Sequence, residues 1–382
     1  MKKIAILGAT GSVGAQAQDV AASRGYEVDF LSANSDVSGL EASARRFSPR
    51  IVAMADESAA KELKRRLADT NIRVLSGEEG ILCGIAETKA ETVINSILGE
   101  AGLKPTLATI KAGRRLALAN KESLVIAGNI VMSAARDANV EILPVDSEHS
   151  AIFQALRGER RESIRRILLT ASGGPFFGKT REELKRVRAE EVLAHPTWKM
   201  GKKITVDSAT LMNKGFELIE AVHLFGVAPS KIEILIHRES ILHSAVEYVD
   251  NAVIGEMSAP DMRMCVQYAV DYPERLEGVA EPLDLTKLSR LTFSAPDYDA
   301  FPLLKLAKRA AEEGGAMGAV MNAADEEAVW AHLSGKLSFY DISEVVMKTY
   351  EKMSCAKSLT SLEDILTAAG EARKTAKSYI KE

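Results

Sequence analysis

The chain has 382 residues, enough for two or three domains each with its own core. With 46% hydrophobic and 27% charged residues, a net charge of −4 and no basic block, it argues against nucleic acid or an anionic membrane as the main partner. No apolar stretch reaches the ~18 residues of a membrane span, and the run Ile4 to Leu7 is too short for a signal peptide, so a cytoplasmic protein is expected.

The first half alternates. "KKIAIL" is strand-like and runs into the glycines Gly8, Gly11 and Gly14, after which the pattern turns helical. Further strands are predicted at 27–33, 50–55, 92–98, 115–120 and 141–145, with helical stretches such as 61–68 between them. Repeated alternation with nearly continuous apolar strands implies a parallel α/β sheet covered on both faces, a Rossmann-type domain over 1–146. The G-x-x-G-x-x-G spacing between a strand and a helix fits a dinucleotide turn, where glycine admits a pyrophosphate and the helix N-terminus favours negative charge. A plain strand–helix turn would also use glycine. The second strand ends in "SANSDV", offering Asn34, Ser35 and Asp36 but no base, so the residues alone leave NAD(H) and NADP(H) even.

Next, "LALANKESLVIAG" puts Asn120, Lys121 and Glu122 at the carboxyl end of a parallel strand, where such sheets bind ligands. A polar strand–helix junction is the simpler account. "PVDSEHSAIFQ" follows, with Asp146 and Glu148 separated by Ser147. Asp146 suits a helix cap and Glu148 a first turn. Alternatively, if the strand continues, the i, i+2 spacing places both on one face, where two carboxylates call for a hard divalent cation and a third acid elsewhere.

From about 147 the character changes to a central α/β domain over 147–277. "RRILLTASGGPF" (165–176) is a strand running into glycines beside Ser172; "KKITVDSAT" (202–210) also reads as a strand; and three segments within 231–259 follow in the close succession of antiparallel strands. Between them, His195, Trp198 and Met200 lie in a loop bounded by Pro196 and Gly201, where Trp198 and Met200 packing on the core is the plainer account and a lid over 195–203 the functional one. Ser208, Asn213 and Lys214 can donate to an anion, with Glu217 three residues after Lys214 on a helical face, although a helix cap at Ser208 and a surface Lys214–Glu217 pair would also account for them. Residues 278–299, rich in proline with weak periodicity, read as a linker, and 300–382 as a helical domain. The cysteines (Cys83, Cys265, Cys355) have neither metal nor redox spacing, which suits a reducing compartment.

"GATGSVG", "LANKESLV", "LPVDSEHSAIFQ", "TASGGPF", "HPTWKMGKKITVDSATLMNKGFELIEA" and "APDMR" together resemble the motifs of the 1-deoxy-D-xylulose 5-phosphate reductoisomerase family, in its order and across the chain. The resemblance implies rearrangement of 1-deoxy-D-xylulose 5-phosphate and reduction to 2-C-methyl-D-erythritol 4-phosphate, with NADPH and Mg²⁺, Mn²⁺ or Co²⁺. It implies Asp146, Glu148 and Glu217 as metal ligands and, with Lys121, as catalytic residues. Ser172, Ser208, Asn213 and Lys214 would hold the phosphate, with His195 in the same pocket and Ser147 and Lys121 on the substrate. Thr10, Gly11, Ser12, Val13, Asn120, Glu122 and Gly201 would contact the nucleotide. Trp198 and Met200 would belong to a mobile flap, and the molecule would be a homodimer. Two departures stand out: no basic residue in "SANSDV", and Arg238-Glu239 where Pro-Gln is expected, at a strand end placed away from the ligands.

Two other readings compete. A plain NAD(P) dehydrogenase without rearrangement fits the glycine turn, although a semialdehyde dehydrogenase would need a catalytic cysteine that no motif supplies. A nucleotide-sensing protein with a dead site is disfavoured by the presence of all three acids, Lys214 and the lid residues.

Overall fold

The computed structural model describes residues 2–194, Trp198 and 201–380. The chain divides into two compact units. One comprises residues 1–123, 131–150 and 261–282; the other comprises 124–130, 151–260 and 283–382.

The first unit is built on seven parallel strands: β1 (Lys3–Leu7), β2 (Glu27–Ala33), β3 (Ile51–Met54), β4 (Arg73–Ser76), β5 (Thr92–Asn95), β6 (Arg115–Leu118) and β7 (Ile142–Pro144). Their order is β4-β3-β2-β1-β5-β6-β7. The six strands of this sheet named from sequence arise from largely apolar, mostly buried runs, as in β1, where Ile4 to Leu7 are buried. β4, with its mixed "RVLS" and only partial burial, carries no such pattern and is not foreseen. The order reverses direction at β1, between β2 and β5, which is where a doubly wound sheet opens a crevice beyond its strand ends. Helix Met262–Asp271, from far downstream, completes this unit by packing on helix Ser12–Arg24. Its last residue, Asp271, accepts hydrogen bonds from Lys2 Nζ (3.0 Å) and Tyr26 Oη (2.5 Å).

The second unit has four strands, β8 (Ile164–Ala171), β9 (Ile232–Ile236), β10 (Leu242–Tyr248) and β11 (Val253–Met257), in the order β11-β10-β8-β9. β10 is antiparallel to β8 and β11, but β9 runs parallel to β8, with Ala171 opposite Ile236. Close succession in sequence therefore does not make β9 the neighbour of β10, which pairs across the sheet with β8 instead. Helices Pro302–Glu313, Met317–Leu333, Phe339–Lys352 and Leu362–Ile380 form the helical C-terminal region.

One predicted strand is a helix. Residues Lys202–Thr210 are α-helical, although "ITV" favours a strand locally. Thr205 Oγ1 donates back to Gly201 O (2.8 Å), and Lys203 pairs with Asp207 one turn on (2.6 Å). Residues 205–210 are all buried, so packing on every side overrides β propensity. Among the described residues, no helix is long and apolar enough to cross a membrane.

Candidate active site

In the first unit, the glycine turn follows β1. Gly8 has φ +77°, and a Cβ there would lie 2.7 Å from Ser96 O at the end of β5. A Cβ on Gly14 would lie 2.2 Å from Gly8 O, so helix Ser12–Arg24 can sit this close to its own turn only with glycine there. Gly11 is the helix N-cap, with no capping side chain and no acid in the first turn. That leaves the helix start at Ser12 and Val13 with its positive dipole end unopposed by any acid of its own first turn. Asp36 instead caps the next helix, accepting from Gly39 N (2.9 Å), and a Cβ on Gly39 would lie 3.0 Å from Thr10 Cγ2, so the ends of β1 and β2 face one another. Asn34 and Ser35 complete that β2 end.

Asn120 is nearly saturated by protein. Its Nδ2 donates to Ile97 O (2.8 Å), Gly99 O (3.0 Å) and Glu122 Oε2 (3.0 Å), and its Oδ1 accepts from Ser123 N (2.9 Å). It braces the loop after β5 and fixes Glu122. Beside it, Lys121 Nζ forms an ion pair with Asp146 Oδ2 at 2.6 Å, both groups about nine-tenths buried.

Helix Ser147–Ala155 begins directly after Asp146, whose carbonyl accepts from Ser150 N (2.8 Å). The pair is thus set by a helix start and not by one face of a strand. Its ligand oxygens nevertheless come within 4.8 Å of one another. Ser147 Oγ donates to Glu148 Oε2 (2.5 Å), and His149 Nδ1 stands 3.9 Å from Asp146 Oδ1. Burial alone would push the Asp146 carboxyl up, but Lys121, then His149 and Glu148, outweigh it and hold it well below the usual carboxylate range.

In the second unit, β8 runs into Ser172, Gly173 (φ +77°) and Gly174 (φ +63°). A Cβ on Gly174 would lie 2.6 Å from Ser208 O, which presses this loop onto the end of helix Lys202–Thr210. Leu211 then takes φ +60°, ends that helix and starts helix Met212–Phe225. A non-glycine residue held left-handed is uncommon and sets one helix end against the next helix start. Asn213 and Lys214 occupy that first turn, with no acid of the turn to neutralise them. Glu217, 1% exposed, accepts from Asn213 Nδ2 (2.5 Å) and pairs with Lys214, itself 4% exposed. Asn213, Lys214 and Glu217 therefore form one largely buried polar set, with Ser208 in the last turn of the preceding helix and Ser172 on the glycine loop that packs against it.

Trp198 lies 6.3 Å from the His243 ring, tilted against it. Gly201 caps helix Lys202–Thr210 and is exposed. His195 and Met200 lie outside the described residues.

Two features escape sequence reasoning. Lys203 bridges Asp207 (2.6 Å) and Asp325 (2.8 Å), tying the helix after the predicted lid to helix Met317–Leu333. And Arg238, expected to stand away from the ligands, donates to Ser172 O and Gly174 O. The signal was present in the parallel pairing of β8 and β9, which brings residues 172 and 238 to the same sheet end, but that pairing is not visible before the topology is known.

Family models described as 1-deoxy-D-xylulose 5-phosphate reductoisomerase match residues 4–128, its C-terminal domain 142–225, and a DXP reductoisomerase C-terminal domain 257–375. The chain is 49% identical to the reductoisomerase of that name from Caldanaerobacter subterraneus subsp. tengcongensis over 98% of both chains. It is 48% identical to that from Acetivibrio thermocellus over the whole of both. Among solved structures, the Zymomonas mobilis enzyme in complex with NADPH superposes with a TM-score of 0.93 at 42% identity, covering 100% of this chain and 99% of that one. A DOX-P reductoisomerase in complex with NADPH, fosmidomycin and magnesium gives 0.95 at 38%, covering 100% and 98%.

Proposed function

Because the chain belongs to the 1-deoxy-D-xylulose 5-phosphate reductoisomerase family, we propose that the polar sets of its two units are the working parts of that enzyme. It is an NADPH-dependent oxidoreductase that uses a divalent metal to rearrange 1-deoxy-D-xylulose 5-phosphate and reduce it to 2-C-methyl-D-erythritol 4-phosphate, a step of isoprenoid precursor synthesis.

Asp146, Glu148 and Glu217 are the proposed metal ligands. The donor set fits: three carboxylates supply hard oxygens, and those of Asp146 and Glu148 already converge. A divalent cation held there would polarise the substrate's ketone and neighbouring hydroxyl as a Lewis acid. The chain's own residues do the rest. Lys121 keeps Asp146 ionised and ready to ligate, while Ser147 orients Glu148 through its hydroxyl and is placed to meet the substrate. Ser172, Ser208, Asn213 and Lys214 hold the phosphate, with His195 beside them, so that binding energy remote from the reacting carbons orients them. Gly8, Thr10, Gly11, Ser12 and Val13 receive the nucleotide's phosphates, with Asn34, Ser35 and Asp36 at its ribose and Asn120, Glu122 and Gly201 as further contacts. Trp198 and Met200, in a flap over 195–203, exclude water from the hydride transfer.

By role, we divide the chain into a nucleotide domain (1–146), a catalytic and dimerisation domain (147–277), a linker (278–299) and a helical bundle (300–382). A homodimer is supported by β11, an edge strand that exposes Val253, Ile254 and Met257. Three free cysteines, one of them exposed, support a reducing, cytoplasmic setting.

The observation that carries the site assignment is the buried convergence of Asp146 and Glu148 beside Lys121. The test is to mix protein, substrate, NADPH and Mg²⁺ and follow nicotinamide absorbance with and without chelator, running NADH in parallel. Oxidation that chelator abolishes is expected. Glu217→Gln should lower turnover at least a hundredfold, about 3 kcal/mol, while leaving NADPH affinity intact; equal losses in both would make Glu217 structural.

A further inference from the structure

β8 and β9 run parallel with Ala171 opposite Ile236, so both release their chains at the same end. From β8 comes the glycine loop 172–174; from β9 comes the turn 237–241. Across this gap Arg238 Nη1 donates to Ser172 O (3.1 Å) and Gly174 O (2.6 Å), and its guanidinium lies 5.3 Å from the centre of the Phe177 ring.

The turn that carries Arg238 is itself pinned. His237 N donates to Ala171 O (2.7 Å). The His237 ring accepts at Nε2 from Ile241 N and Leu242 N, both at 3.1 Å, so its proton is on Nδ1, which donates to Thr292 O (2.9 Å). Arg238 is thus a fixed clamp acting on a loop whose two left-handed glycines would otherwise leave it free to move.

The direction of the clamp matters. A trans peptide holds its C=O and N–H on opposite sides. Turning Ser172 C=O towards Arg238 therefore turns the N–H of buried Gly173 away from it, and that N–H donates to no group among the described residues. A buried, unspent donor next to the Ser172 hydroxyl is what an anion would use.

We propose that Arg238 is a positioning residue for substrate phosphate: by holding the Ser172 and Gly174 carbonyls it presents the Ser172 hydroxyl and the Gly173 N–H to the phosphate oxygens. This rests on the reading that the Ser172 loop takes the phosphate.

The test uses full-length enzyme and four constants: KM for 1-deoxy-D-xylulose 5-phosphate, KM for NADPH, kcat, and the inhibition constant of inorganic phosphate competing with substrate. Arg238→Met keeps the apolar stem over Phe177 and removes the donors. Substrate KM and the phosphate inhibition constant should both rise about tenfold, with kcat and NADPH KM within about twofold. Arg238→Lys, which retains a donor, should fall between Met and wild type, and it carries the test by itself if the Met variant does not fold. Unchanged substrate and phosphate constants, or an NADPH KM rising in step with them, would overturn the proposal. Ser172→Ala separates the two readings. If it leaves both constants unmoved, the phosphate reading fails and the role of Arg238 with it. If it raises them while the Arg238 variants do not, only the role of Arg238 fails.

Discussion

Burial holds His223 and His243 neutral, lowering each from 6.5 to about 4. The consequence for stability has a definite sign. Above pH 6.5 neither state binds these protons; between 6.5 and 4 the unfolded chain takes them up and the folded chain does not, so stability falls as pH falls through that window. Urea unfolding from pH 7 down to pH 4.5 should show this loss, and His243→Gln should cut the slope by about half. A slope unchanged in that variant would mean His243 titrates normally in the fold. At this scale the sequence was most legible where a residue type is demanding. Glycine at 8 and 14 announces itself, because a Cβ there would meet backbone, whereas the acids at 146 and 148 also suit an ordinary helix start. Arg238 and Asp325 do not announce themselves, because an arginine or an aspartate in isolation is ordinary until its partner arrives from far along the chain.

Helix Lys202–Thr210 shows how an element can be misread. Its β-branched run argues for a strand, and only the Lys203–Asp207 pair, one turn apart, argues the other way. Lys203 then reaches Asp325 as well, so one ammonium serves two buried carboxylates. Burial pushes the Asp325 carboxyl up, and Lys203 only partly offsets this. Lys203→Met would remove the cation that both acids share and should destabilise the protein by about 3–5 kcal/mol. Asp325→Asn should cost clearly less, because that carboxyl is already drawn towards its neutral form. Denaturant titration at pH 7 measures both, and equal costs would mean the lysine is not the keystone of the triad. Apart from β4, the parallel strands of the first unit were easier to read, since they are buried on both faces and largely apolar. The second sheet was harder: β9 and β10 look alike as neighbours in sequence, and only pairing with β8 decides that one runs parallel and the other antiparallel.

At the scale of the whole molecule, the chain passes from one unit to the other five times, after residues 123, 130, 150, 260 and 282. Neither unit is therefore a contiguous segment, which no local pattern in the sequence reveals. Residues 1–150 expressed alone would lack helix Met262–Asp271 and leave Tyr26 and Lys2 without Asp271. Such a fragment should melt without a cooperative transition, and joining 261–282 to it through a flexible linker should restore one. A sharp melt of 1–150 alone would show the helix to be dispensable.

The same returning helix sets a timetable for synthesis. The seven-stranded sheet is encoded by the first 150 residues, yet the helix that covers helix Ser12–Arg24 is not complete until residue 271 has been translated. All four strands of the other sheet are made in the meantime. The nascent first unit thus waits on the ribosome with a helix face uncovered, and this is the stretch of its life in which a chaperone has most to protect.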